Sequence, residues 1–236
     1  MKEIILFPNA TPIYNFLSFI TYKVKDHKDS KILDCGAGGK IPPLYIFYKA
    51  EFDCFGIDIS SKSLENAKKF CRDYNCDIYL KEGDMRNIEF DDNFFDFVYE
   101  HYSMCHLSKK DTEKAISEMN RVLKKEGIAF LGFISRDTWP ISGDEESPGE
   151  FIENENGESV RHSYFLEEET EKLLSKWDIL FKEKREITNH QFLKQITFEE
   201  WKDVFGNANE TESRKLFDQR FKRFKYSHLY YIVQKK

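Results

Sequence analysis

The sequence predicts an α/β fold built on a doubly wound parallel sheet, and three observations predict it. Short apolar runs alternate with helical patterns from residue 31 to residue 134. The run Ile128–Ile134 is nearly all apolar, as a strand buried on both faces should be. The first apolar run breaks into the turn Asp34-Cys35-Gly36-Ala37-Gly38-Gly39-Lys40, the form taken where a first strand passes to a first helix close against a small ligand. The 236 residues suffice for one such domain with a sizeable core.

The elements follow in order. Ile13, Phe16, Leu17, Ile20 and Val24 mark one face of a helix over 11–25. Lys31–Asp34 is strand one. Pro42 to Ala50 is helix one, with its prolines in the first turn, where their missing N–H groups cost nothing. Phe52–Ile59 is strand two, and Ser60 or Ser61 caps a helix running to about Tyr74. Asp77–Glu82 and Phe94–Glu100 are strands three and four. Ser108 with Asp111 opens a helix that ends at Gly127. Ile128–Ile134 is strand five. Residues 136–160 read as a polar, acidic loop. Then come a helix over Glu167–Lys176, a half-exposed strand over Ile179–Ile187, a helix opened by Thr197 and Glu200, one more over 211–225, and a closing strand, Leu229–Val233. No repeat or linker divides the chain, so residues 1–236 form a single domain. It has an N-terminal helical segment, 1–29, and a helical insert at about 188–228 that should cover the acceptor end of the site.

Composition narrows the function. The net charge of −6 argues against a nucleic-acid binder. A basic C-terminal stretch, Arg214 to Lys236, reads first as solvated surface. The five cysteines are odd in number and form no CxxC pair, which fits buried reduced thiols in a cytoplasmic protein better than disulfides or zinc. No metal is expected. No run approaches ~18 apolar residues, so neither a membrane span nor a secretory signal is expected.

The turn at 34–40 departs from both phosphate-binding patterns. A P-loop fails at Asp34 and Ile41, and the dinucleotide fingerprint fails at Ile41. An acid beside the turn favours a ligand with positive charge. Asp58, at the end of strand two, can accept from both hydroxyls of a ribose. Asp84, after strand three, can accept from an adenine amino group while Met85 packs on the base. Together they describe an adenosine-shaped site without a phosphate cradle.

These segments resemble successive motifs of class I S-adenosylmethionine-dependent methyltransferases: Leu33 to Gly38, Gly56-Ile57-Asp58-Ile59-Ser60, Gly83-Asp84-Met85, Phe95 to Glu100 and Arg121 to Gly127. They occur in order over roughly residues 30–135. The resemblance implies a Rossmann-like sheet of seven strands with the last antiparallel, and S-adenosyl-L-methionine as cofactor. It implies that Asp34, Gly36 and Gly38 line the methionine portion, that Asp58 and Ile59 hold the ribose and one face of the adenine, and that Asp84 and Met85 hold the adenine edge. Glu100 and His101 would face the sulfonium, with both as candidate catalytic residues. Lys40 stands where the family carries a third glycine, with Gly39 displaced by one.

The acceptor is expected to be a small molecule. No [DN]PP[YFW] motif follows strand four and no proline precedes a cysteine, so DNA is not expected; RNA is disfavoured, and a homodimer is compatible with the sequence. His106 is expected to support the helix that Ser108 opens, and Tyr14 and Trp139 are candidates to close over the pocket. Two other readings are a non-catalytic S-adenosylmethionine-binding regulator and an NAD-dependent oxidoreductase. The second rests on Tyr45 and Lys49 in a YxxxK spacing that lies too early in the chain.

Overall fold

A computed structural model describes residues 10–24, 26–155, 157–206 and 209–236. In chain order the elements are α1 (Thr11–Lys23), β1 (Lys31–Cys35), α2 (Leu44–Lys49), β2 (Asp53–Asp58), α3 (Ser61–Tyr74), β3 (Tyr79–Glu82), β4 (Phe95–Tyr99), a 3-10 turn (Met104–His106), α4 (Lys109–Val122), β5 (Leu123–Ser135), β6 (Asp144–Ser147), β7 (Glu150–Glu155), β8 (Glu158–Phe165), α5 (Glu167–Leu173), β9 (Trp177–Ile187), α6 (His190–Gln195), α7 (Phe198–Phe205), α8 (Glu210–Asp218), α9 (Arg220–Arg223) and β10 (Tyr226–Lys235). Part of the N-terminal segment, residues 1–9 and 25, lies outside the described residues.

The central sheet runs β3-β2-β1-β4-β5-β10-β9. The first five strands are parallel, and β10 is antiparallel to both β5 and β9. The antiparallel last strand is thus as the motifs implied, while β8, β7 and β6 extend the implied seven strands to a ten-stranded sheet. Side chains alternate between two cores. Leu33, Val98, Ala129 and Tyr231 face α4 and α5, while Ile32, Phe97, Phe130 and Ile232 face α1 and α2. This period of two across a sheet covered on both sides explains why β5 reads as a continuous apolar run. Phe16 of α1 anchors the second core, with its ring 5.5 Å from Phe130 and 5.9 Å from Phe47.

Four expectations change. Residues 136–160 are not a loop: β6, β7 and β8 form an antiparallel meander whose edge strand β8 continues along β5 beyond the end of β4. Two of its acids are paired, Glu145 with Arg136 and Glu146 with Arg161, so the charge that suggested a loop decorates strands. Helix α4 stops at Val122 instead of Gly127, because Leu123 already pairs with Phe95 in the sheet. Residues 211–225 split into α8 and α9 at Gln219. The prolines stand before α2, with Pro43 at its N-cap.

Candidate active site

Strand order reverses at β1, whose neighbours β2 and β4 are reached by connections running in opposite directions. A crevice opens at the carboxyl ends of the strands at such a point. Here it is a cleft of about 610 Å³. It is lined by Asp34, Gly36, Gly38, Asp58, Ile59, Asp84 and Met85, which the sequence pointed to, and by His101.

The glycine turn is strapped across β2. The Gly36 and Ala37 N–H groups both donate to the Ile57 carbonyl at 2.9 Å, and the Gly38 N–H donates to Asp58 Oδ2 at 2.8 Å. A Cβ on Gly38 would stand 2.4 Å from that oxygen and 2.6 Å from Ser63 Cβ. Gly38→Ala is therefore expected to push Asp58 aside, costing about 1–3 kcal/mol of stability by overpacking. A thermal melt and a ligand titration on that variant check it. Gly39 takes φ +113°, so the displaced glycine makes the bend, and Lys40 points to solvent without lining the cleft.

Asp34 lies at the cleft floor, 2% exposed. Tyr99 Oη donates to its Oδ2 at 2.6 Å. Burial pushes the Asp34 carboxyl up to about 8; the Tyr99 hydrogen bond works against that, while Glu100 and Asp58 reinforce it. A cation at this point would restore the carboxylate's charge. Asp58 also accepts from the Ser60 N–H at 2.8 Å. Its two oxygens are thus fixed, each with lone-pair capacity left for a ligand hydroxyl. Ile59 is 66% exposed, and like half-buried Met85 it lines the cleft, offering apolar contact to a flat base. Asp84 is held by Arg86 at 2.7 Å, and this pairing holds its carboxyl below the usual range.

Glu100 is the correction. It is fully buried and does not line the cleft. Its Oε1 accepts from the Ser103 N–H at 2.6 Å and the Met104 N–H at 2.9 Å, and Oε2 from Gly132 at 3.4 Å. The carboxylate braces the turn after β4. Burial pushes it up to about 7, against the pull of the three amides. The braced turn sets Ser103 directly on the Gly36 α-carbon, where a Cβ would meet its Oγ at 2.0 Å.

His101 does enter the cleft. Its buried Nε2 has no hydrogen-bond partner among the described residues, and its ring lies tilted against Tyr102, with centroids 4.0 Å apart. Burial, then the proximity of His228, pulls its pKa down to about 4, so the ring is neutral. Tyr102 Oη and Tyr230 Oη bond at 2.7 Å beside it. Sequence reasoning missed Tyr99, Ser103 and Arg86. Tyr99 carried a signal, since its position in strand four is paired with Asp34 once β1 and β4 are neighbours.

Other expectations are not met by the lining. Neither Tyr14 nor Trp139 lines the cleft, and no described residue of 188–228 does so. Trp139 instead packs 6.3 Å from Trp201 of α7. His106 does line it, and its Nδ1 bonds the Arg161 carbonyl at 3.2 Å, not the start of α4. Among the described residues, no helix is long and apolar enough to cross a membrane.

Comparisons with known proteins agree with this geometry. The family model described as "Methyltransferase domain" matches residues 33–131, which carry β1 through most of β5 and the cleft. Demethylmenaquinone methyltransferase of Staphylococcus haemolyticus is 34% identical over 138 residues, covering 54% of this chain and 56% of that protein. The chain thus spans about half the length of the curated relatives it matches. A SAM-dependent methyltransferase from Methanosarcina mazei superposes with a TM-score of 0.66 at 21% identity, covering 98% of this chain and 99% of that one. The [4+2]-cyclase SpnF superposes with a TM-score of 0.62 at 18% identity, covering 94% and 80%. The likeness to these two shows the fold, and a cyclase among them illustrates that fold alone does not fix a reaction. Residues 33–131 thus match a methyltransferase domain, and the five ordered motifs and the strand order agree with that match.

Proposed function

We propose that this chain transfers a methyl group from S-adenosylmethionine to a small-molecule acceptor. One observation carries the reading: a single cleft is lined by a buried acid, a glycine turn, a ribose-competent acid and an apolar pair, the groups that an adenosyl amino acid needs.

When bound, the cofactor supplies a sulfonium-activated methyl group to a nucleophile approaching in line. The residues supply position. Asp34 pairs with the cofactor's ammonium group. Asp58 accepts from the ribose hydroxyls, and Ile59 and Met85 hold the base between them. Asp84, already oriented by Arg86, accepts at the base edge. Orientation of this kind is worth effective molarities of order ~10⁵ M or more. His101 lines the cleft and offers its neutral ring as a contact for the acceptor. With a pKa of about 4 it is a weak base, suited to orienting an acceptor that loses its proton late.

The test is isothermal titration with S-adenosylmethionine and, separately, NAD. Asp58→Ala is expected to weaken S-adenosylmethionine binding by about 1.5–3 kcal/mol, the size of lost charge-assisted hydrogen bonds. Preferential binding of NAD, or unchanged affinity in a folded Asp58→Ala variant, overturns the assignment.

A further inference from the structure

Cys105, His106 and His162 come together beside the cleft. Their possible ligand atoms, one from each side chain, all lie within 4.8 Å of one another. No sequence spacing announced this. Cys105 and His106 sit on the 3-10 turn after β4, and His162 sits on β8. The fold brings them together because β8 continues along the β5 edge where β4 ends. Two hydrogen bonds lock the junction: Ser163 Oγ donates to the Leu107 carbonyl at 2.6 Å, and His106 Nδ1 meets the Arg161 carbonyl at 3.2 Å.

We infer that these three side chains form a binding site for a divalent transition metal of the zinc class. A thiolate with two imidazoles is a soft and borderline donor set, which selects such ions over magnesium or calcium. The Arg161 carbonyl can only accept, so the His106 proton sits on Nδ1 and the lone pair on Nε2. A metal-binding imidazole is oriented in the same way, by a carbonyl on its other nitrogen. In a tetrahedral site with bonds of about 2.0–2.3 Å, ligand atoms stand roughly 3.3–3.7 Å apart. Closing from 4.8 Å falls to the two histidines, His106 exposed and His162 half-exposed, while buried Cys105, whose thiol donates to the Tyr102 carbonyl at 3.4 Å, gives up that proton when the metal displaces it. Three protein ligands leave a fourth position for water or another donor, the pattern of an open site. The expectation of no metal rested on an odd number of cysteines with no CxxC pair, and distant strands supply what local spacing does not. Because His106 also lines the cleft, the metal would tie the β6–β8 meander to the cleft's rim.

The experiment is a cobalt titration of the full chain, stripped with chelator, followed in the near-ultraviolet and visible. The expected result is one equivalent bound, with a thiolate-to-cobalt charge-transfer band and tetrahedral visible bands, all displaced by zinc. His106→Ala and His162→Ala should each weaken binding at least tenfold, while His190→Ala, at an exposed position outside the cluster, should bind as the parent. Cys105→Ser should remove the charge-transfer band. Since Cys105 is buried, the two histidine variants decide the matter if that variant does not fold. Absence of the charge-transfer band in the parent, or its persistence in folded His106→Ala and His162→Ala variants, overturns the inference. The readout is independent of methyl transfer, so it stands or falls apart from the proposed reaction.

Discussion

Asp34→Asn is expected to weaken S-adenosylmethionine binding by about 2–4 kcal/mol and to abolish a proton release that accompanies binding near neutral pH. In the free protein the Asp34 carboxyl titrates at about 8, chiefly because it is buried, and is therefore largely protonated at pH 7. An ammonium group needs the carboxylate as its partner, so binding below pH 8 must expel the proton. Affinity should then rise with pH, by up to tenfold per unit, and level off above about 8. Folding stability of the free protein runs the other way. The native carboxyl binds its proton more tightly than the unfolded one, whose value is 3.8, so the contribution is fully present below about pH 4 and is lost as pH rises toward 8. Asn preserves an acceptor for the Tyr99 hydroxyl, so the variant removes charge more than it removes packing. Isothermal titration in buffers of different ionisation enthalpy measures the released proton. Equal affinity in the variant, or no proton release in the parent, would show that the ammonium lies elsewhere.

Glu100→Ala is expected to destabilise the fold by about 3–5 kcal/mol. It leaves the Ser103 and Met104 amides, and the weaker Gly132 bond, without their acceptor in a fully buried place, and each buried orphan costs about 1–3 kcal/mol. Glu100→Gln keeps one carbonyl oxygen for the two close amides and should cost about 1–2 kcal/mol. The pair of variants separates two roles for this acid. As a brace, its loss lowers the melting temperature, and the folded Gln variant retains turnover within a few-fold. As a chemical acid or base, the Gln variant would fold and lose on the order of 10² or more in rate. Chemical denaturation beside a methyl-transfer assay decides between them.

Much of the fold was legible because the chain is locally consistent. Apolar runs of strand length, Ser60 and Ser108 as caps, and β5 without a polar break each point to one architecture, and both caps accept from the N–H three residues on. The gathering of three acids at one cleft was legible for a topological reason. Asp34, Asp58 and Asp84 each stand at or just after the carboxyl end of a parallel strand, and parallel strands put those ends on one side. The meander was not legible, because its strands carry paired acids instead of an alternating apolar face. Glu100 was misread because order along the chain says which residue follows a strand, not which way the chain then turns. There Tyr102 takes φ +66° and folds the next amides back onto the carboxylate. The Cys105–His106–His162 cluster was hidden for a related reason, since it depends on β8 filling an edge that no short spacing records. Lys40 has a simple account: the bend falls on Gly39, which leaves residue 40 free to carry an exposed side chain.

The most direct measurement is transfer of label from methyl-labelled S-adenosylmethionine to the low-molecular-mass fraction of a cell extract, with the parent and the Asp58→Ala variant compared at equal folded concentration. A labelled small product is expected that requires the parent protein and falls with the variant's affinity. Tight cofactor binding with no label in any low-mass product, or label found only in macromolecules, would contradict it.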